Sequence, residues 1–148
     1  MFRRSPPLPQ HIHSAWWAFL DCAEVLEAGH RVLFGAMPTF RVEPVPITVG
    51  TEGMRRAIAD ARGWMPDWRI DELAEDWRAC TAALDEAEAA LALVESAGAT
   101  SDELDDVLQG VRRVVDPLDA FAVAEQAFRR RWRCPETRPD APEGAAHG

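Results

Sequence analysis

The chain of 148 residues has no lysine, no asparagine and no tyrosine, and only three cysteines. Its 16 basic residues are all arginine, a bias that fits a GC-rich genome and carries no mechanism with it. Cys22, Cys80 and Cys134 form no closely spaced pair. An odd, scattered count argues against a disulfide scaffold and for a reducing compartment, so a cytoplasmic protein is expected. Positive charge is also in deficit: the formal net charge is −9. A general nucleic-acid binder takes its affinity mainly from cations on phosphate, so that class is set aside, and any anion-binding surface has to be local.

Long apolar runs are missing as well. No stretch approaches the ~20 apolar residues of a membrane span. The run over 15–20 is cut short by Asp21, and the charged start at Arg3 and Arg4 is followed by Pro6, Pro7 and Pro9, which no signal peptide would carry there. There is no phosphate-cradling glycine loop, no Cys-x-x-Cys, no G-x-S-x-G and no Ser/His/Asp set. The acidic runs Asp71-Glu72 and 102–106 lack the glycine and alternating ligand spacing of a calcium loop. No cofactor is expected, and the balance leans away from an enzyme.

What the chain does have is helical periodicity. Ile70, Leu73, Trp77, Cys80, Leu84, Ala87, Leu91 and Val94 alternate spacings of three and four, and the residues between them are mostly Asp, Glu, Arg and Ala. This is the apolar seam of a long helix packed at a shallow angle against other long helices. A similar seam, Ile12, Trp16, Phe19, Ala23, Leu26, His30 and Leu33, predicts a first long helix over 13–36. Prolines 38, 44 and 46 exclude helix through the next dozen residues, and the alternating apolar residues predict an extended segment over 38–50 packed on the bundle. A short second helix follows over 52–64, then a corner at Met65-Pro66-Asp67. The third helix should end at about residue 97, with Gly98 as its C′ glycine. A fourth helix reaches residue 133 and is kinked or restarted at Asp116-Pro117.

The fold predicted is all-α: an up-down-up-down helical bundle with three long helices, one short helix and a Pro-rich extended segment packed on it. Residues 1–11 form a Pro-rich flexible lead-in, 12–133 the single bundle domain, and 134–148 a disordered tail. Pairing the third and fourth helices about Gly98 places Val94 against Leu104, Ala87 against Val111, Cys80 against Leu118, Trp77 against Phe121 and Ile70 against Phe128. The one discord is Glu125 opposite Leu73, resolved if Ala124 turns inward and Glu125 pairs with Arg69.

This topology gathers tryptophan and arginine at one end of the bundle and acids at the other. Trp17, Trp64, Trp68, Arg69, Arg129, Arg130, Arg131 and Trp132 make up the candidate partner-binding surface, because Trp and Arg are the residues most enriched at binding hot spots. The competing reading is structural: the tryptophans plug the core and the arginines complement the negative C-terminus of the fourth helix. The function expected is non-enzymatic, through a protein partner or a second copy of the chain. An alternative is a small-molecule or metal-binding bundle using Glu27 and His30, whose E-x-x-H spacing resembles half of the di-iron motif of ferritin-like bundles. The second half of that motif is absent, and a satisfied core histidine explains His30 as well. A third reading, RNA held at the arginine-rich end, has the net charge against it.

Overall fold

The computed structural model describes residues 4–35, 47–100, 109–110 and 112–136. Within them the fold is all-α, with no β-strand. Helix α1 runs His13–Gly35, α2 Ile47–Trp64, α3 Ala74–Thr100 and α4 Asp116–Arg131. A 3-10 turn at Gln10–Ile12 leads into α1, and two more, Met65–Trp68 and Asp71–Leu73, fill the corner between α2 and α3. None of the described helices is long and apolar enough to cross a membrane.

Adjacent helices run antiparallel. Gly29 of α1 meets Ala57 and Met54 of α2, while Cys22 Sγ, earlier on α1, donates to Ala61 O (3.3 Å), later on α2. Arg62 pairs with Asp85 and Glu88, and Arg55 with Glu95, which sets α2 against α3. Val94 lies on Gly110, whereas Leu73 shares a groove with Phe128, which sets α3 against the chain that leads into and forms α4. Trp16 stacks near Phe128, and Phe19 near Phe121, closing the ring between α1 and α4.

The seams form the core as the periodicity requires. Leu73, Cys80, Leu84, Ala87, Leu91 and Val94 are buried, with Ile70 and Trp77 packed partly buried against them. Ile12 is buried just ahead of α1, and on α1 the buried positions are Ala15, Trp16, Ala18, Phe19, Cys22, Leu26, Gly29 and Leu33. Cys22 and Gly29 stand where a strict 3.5-residue repeat would put Ala23 and His30. Helix α1 is contacted from two sides: Trp16 and Phe19 face α4, whereas Cys22 and Gly29 face Ala61 and Ala57 of α2.

Three expectations are corrected. Helix α2 begins at Ile47, not 52, and Thr51 Oγ1 donates to Thr48 O (3.1 Å) in its opening turns. Helix α3 continues past Gly98 to Thr100. Its helical start is also later, because Ile70 is extended and Asp71–Leu73 is a 3-10 turn. Val94 meets Gly110. The expected partners Leu104 and Val111 lie outside the described residues, as do the 38–46 segment and the tail beyond 136. At Pro117 the helix restarts: Val115 N–H donates to Arg112 O (3.1 Å) in a tight turn, and Asp116 and Asp119 then supply the acidic first turn of α4.

Residues 4–9 of the lead-in form no helix and are fastened to the bundle. Pro7 bridges to Arg133, Leu8 and Ile12 are buried in the core, and His11 Nε2 lies 2.9 Å from Glu72 Oε1.

Candidate functional site

The tryptophan-rich end is first of all a core. Phe19 sits at the centre of an aromatic cluster, with ring centroids 5.5 Å from Trp16, 5.1 Å from Trp68, 5.4 Å from Phe121 and 6.2 Å from Phe128. Trp16 and Trp68 are both 0% exposed, so Trp68 leaves the candidate surface. Position decides this: Pro66 turns the corner tightly, and the following 3-10 turn swings Trp68 under α1. Trp17, Trp64 and Trp132 are partly buried against the cluster.

The arginines remain at the surface, divided among three places. At the corner, Arg69 lies over the Trp77 ring, 4.3 Å from its centroid, and Trp77 Nε1 donates to Met65 O (3.1 Å). Arg62, Met65, Pro66, Arg69, Trp77 and Thr81 line a cleft of about 200 Å³ there. Arg62 already meets Asp85 (2.7 Å) and Glu88 (3.0 Å), so carboxylates stand beside this cleft. Glu125 does not pair with Arg69. It bonds Arg129 one turn along α4 (3.0 Å), while Ala124 is buried as expected.

Between the start of α3 and the end of α4, Glu72, Asp76 and Arg131 border a small groove of about 60 Å³. Arg131 also lies over Trp132, 5.2 Å from its ring centroid. The hydrogen bond from His11 holds the Glu72 carboxyl below the usual carboxylate range, with Arg131 assisting. Asp76 moves the other way: burial and neighbouring Glu75 raise it, against a lowering effect of Arg131. Arg131 therefore lies in the field of two carboxylates.

The third place gathers more arginines into one wall. Arg4, Ser5, Arg129, Trp132 and Arg133 line an open cleft of about 340 Å³, and no carboxylate belongs to its wall. Arg129 is the one member with an ion-pair partner among the described residues; Arg4 and Arg133 have none there. Ser5 Oγ donates weakly to Arg130 O (3.4 Å), which brings Arg130 alongside. The helix dipole accounts for Arg129, Arg130 and Arg131, which fill the last turn of α4. It does not account for Arg4 or Arg133, which lie outside the helix. Neither belongs to the surface expected from the sequence. The bridge that brings them together spans 126 positions of sequence, from Pro7 to Arg133, and no local pattern records it.

The alternative ligand pair is not assembled. Glu27 Oε1 accepts from Arg31 (2.8 Å) on the exposed face, while His30 is half-buried beside Phe34, ring centroids 6.0 Å apart. Among the described residues no three His, Cys, Asp or Glu side chains come together in a way that could hold a metal. Cys22 and Cys80 are fully buried core residues, and burial pushes both thiols up to about 12, which keeps them protonated and unreactive. Comparison with protein-family models, with curated proteins and with solved structures gives no match, so the site is read from its own residues.

Proposed function

We propose that this protein is a non-enzymatic binding module that engages an acidic segment of a protein partner through the cleft of Arg4, Ser5, Arg129, Trp132 and Arg133. The observation that carries this reading is the concentration of guanidinium groups without carboxylates in the cleft wall, on a chain of net charge −9. Clustered like charges repel, and the core gains nothing from them. An anionic occupant would relieve the repulsion, and Arg supplies planar, forked donors suited to carboxylates. The half-buried Trp132 adds an apolar wall against which methylene groups of a peptide can rest. The corner cleft at Arg69 is the weaker candidate: two arginines line it where three line the other, and Arg62 meets two carboxylates where Arg129 meets one.

The test is titration with a hexaglutamate peptide at low and at physiological salt, followed through tryptophan fluorescence. Saturable binding that weakens with salt and disappears in the Arg4→Glu/Arg133→Glu variant supports the reading. Equal binding by the variant, or none by the wild-type protein at low salt, overturns it. A single-stranded oligonucleotide that binds more tightly than the peptide at matched charge would move the proposal to the nucleic-acid reading.

A further inference from the structure

The arginine cleft is not made by α4 alone. The helix ends at Arg131, and Trp132 is extended, with φ −130° and ψ 150°. Beyond it, the backbone at Arg133 is held on both sides by the lead-in: its N–H donates to Pro6 O (2.7 Å), and its carbonyl accepts from Leu8 N–H (3.1 Å). Arg4 and Ser5 are themselves part of that lead-in. Arg4, Ser5 and Arg133 therefore all depend on one short strap for their place in the cleft, and only Arg129 and Trp132 are positioned from α4.

The strap is docked by contacts that lie outside the cleft. Leu8 is 4% exposed and Ile12 0%, both within the hydrophobic core. His13 Nε2 lies 3.0 Å from Leu8 O, and His11 Nε2 lies 2.9 Å from Glu72 Oε1 on the far side. Docking also works against electrostatics, because it brings Arg4 up to Arg129 and Arg133. The same step that builds the cleft thus concentrates positive charge in it, and an anion in the cleft offsets that cost.

We infer that this cleft is a composite site for an acidic peptide, assembled only when residues 4–9 dock, so that peptide binding and strap docking are one coupled equilibrium. The inference rests on the binding reading above and adds its control: Leu8, His11 and Glu72 act as positioning residues that never touch the ligand. Linkage makes the coupling reciprocal, so whatever loosens the strap weakens the peptide by the factor by which the peptide tightens the strap.

Hydrogen exchange of the full chain, read by NMR at the Leu8 and Arg133 amides with and without saturating hexaglutamate, tests this directly. Both amides should slow by about tenfold, within the usual span of coupled sites, while the Ile58 amide in the middle of α2 stays unchanged. Leu8→Ala should weaken peptide binding by a similar factor with helicity retained, and His11→Ala by about twofold, as befits an exposed contact. If Leu8→Ala unfolds the bundle, His11→Ala and the amide readings decide the matter. Binding by wild-type protein with no change at the two amides, or with equal affinity in the folded variants, overturns the coupling and leaves the cleft reading intact. Absence of any binding by the wild-type protein overturns both.

Discussion

The bundle fills its two halves in opposite ways. Along the α1–α2 seam the backbones approach so closely that a Cβ built on Gly29 would overlap the Cβ of Ala57, and one built on Gly53 would come within 2.7 Å of Val32 Cγ1. At the aromatic end, five large rings meet around Phe19 and hold α1, the corner and α4 apart at a distance set by their size. The first region gains from contact between small groups over a long interface. The second gains from apolar area concentrated in a few side chains. Small-residue packing constrains what may be added, whereas ring packing constrains what may be removed.

The largest expected effect is removal at the aromatic centre. Phe19→Ala should cost about 3–5 kcal/mol, because the cavity is walled by rings that α1, α4 and the corner hold in place. Urea unfolding monitored by circular dichroism measures it, and a loss near 1 kcal/mol would mean that the cluster collapses into the gap.

The seam is tested by addition. Gly29→Ala should destabilise by about 1–2 kcal/mol, since the overpacking cost of ~1–3 kcal/mol outweighs a helix-propensity gain of up to ~1 kcal/mol. Gly63→Ala on α2 is the matched control: nothing lies within 4 Å of its added Cβ. It should stabilise by about 0.5–1 kcal/mol. If both substitutions moved the unfolding midpoint in the same direction, close approach at Gly29 would not be what holds α1 to α2.

The smallest effect concerns the latch beside the aromatic end. The folded Glu72 carboxyl lies below its ordinary value, chiefly through the hydrogen bond from His11. A depressed carboxylate contributes stability that is present above the unfolded pKa and is lost as pH falls through the folded pKa. Glu72→Gln should therefore lower the melting temperature slightly at pH 6 and lose that difference as pH falls towards 3. A difference that grows with acid would reverse the assignment.

Much of the fold is legible in the residues. The seam of α3, the turn at Pro66, the restart admitted at Pro117 and the inward place of Ala124 all follow from periodicity and backbone chemistry. Where the reading failed, a competing local effect was at work. Gly98 carries a strong stop signal, yet α3 continues to Thr100. Glycine makes a left-handed cap available but does not compel one. Residues 47–50, whose alternating apolar pattern predicted an extended segment, instead open α2. The site was half legible. Trp and Arg were expected to mark it together, but the structure separates their roles: Trp68 is core, Arg69 covers Trp77, and Arg129 joins Arg4 and Arg133.

Sequence alone determined that this chain is an all-α bundle, because the spacing of apolar residues repeats with the helix and nearly every seam position has to be buried. Tertiary structure alone decided which arginines share a cleft and which are neutralised. That outcome depends on pairing residues 6–8 with residue 133, on the register of α3 against α4, and on the direction in which a 3-10 turn points one tryptophan. Each of these is a contact between distant parts of the chain, set by how the surfaces fit and not by any local preference of the residues involved.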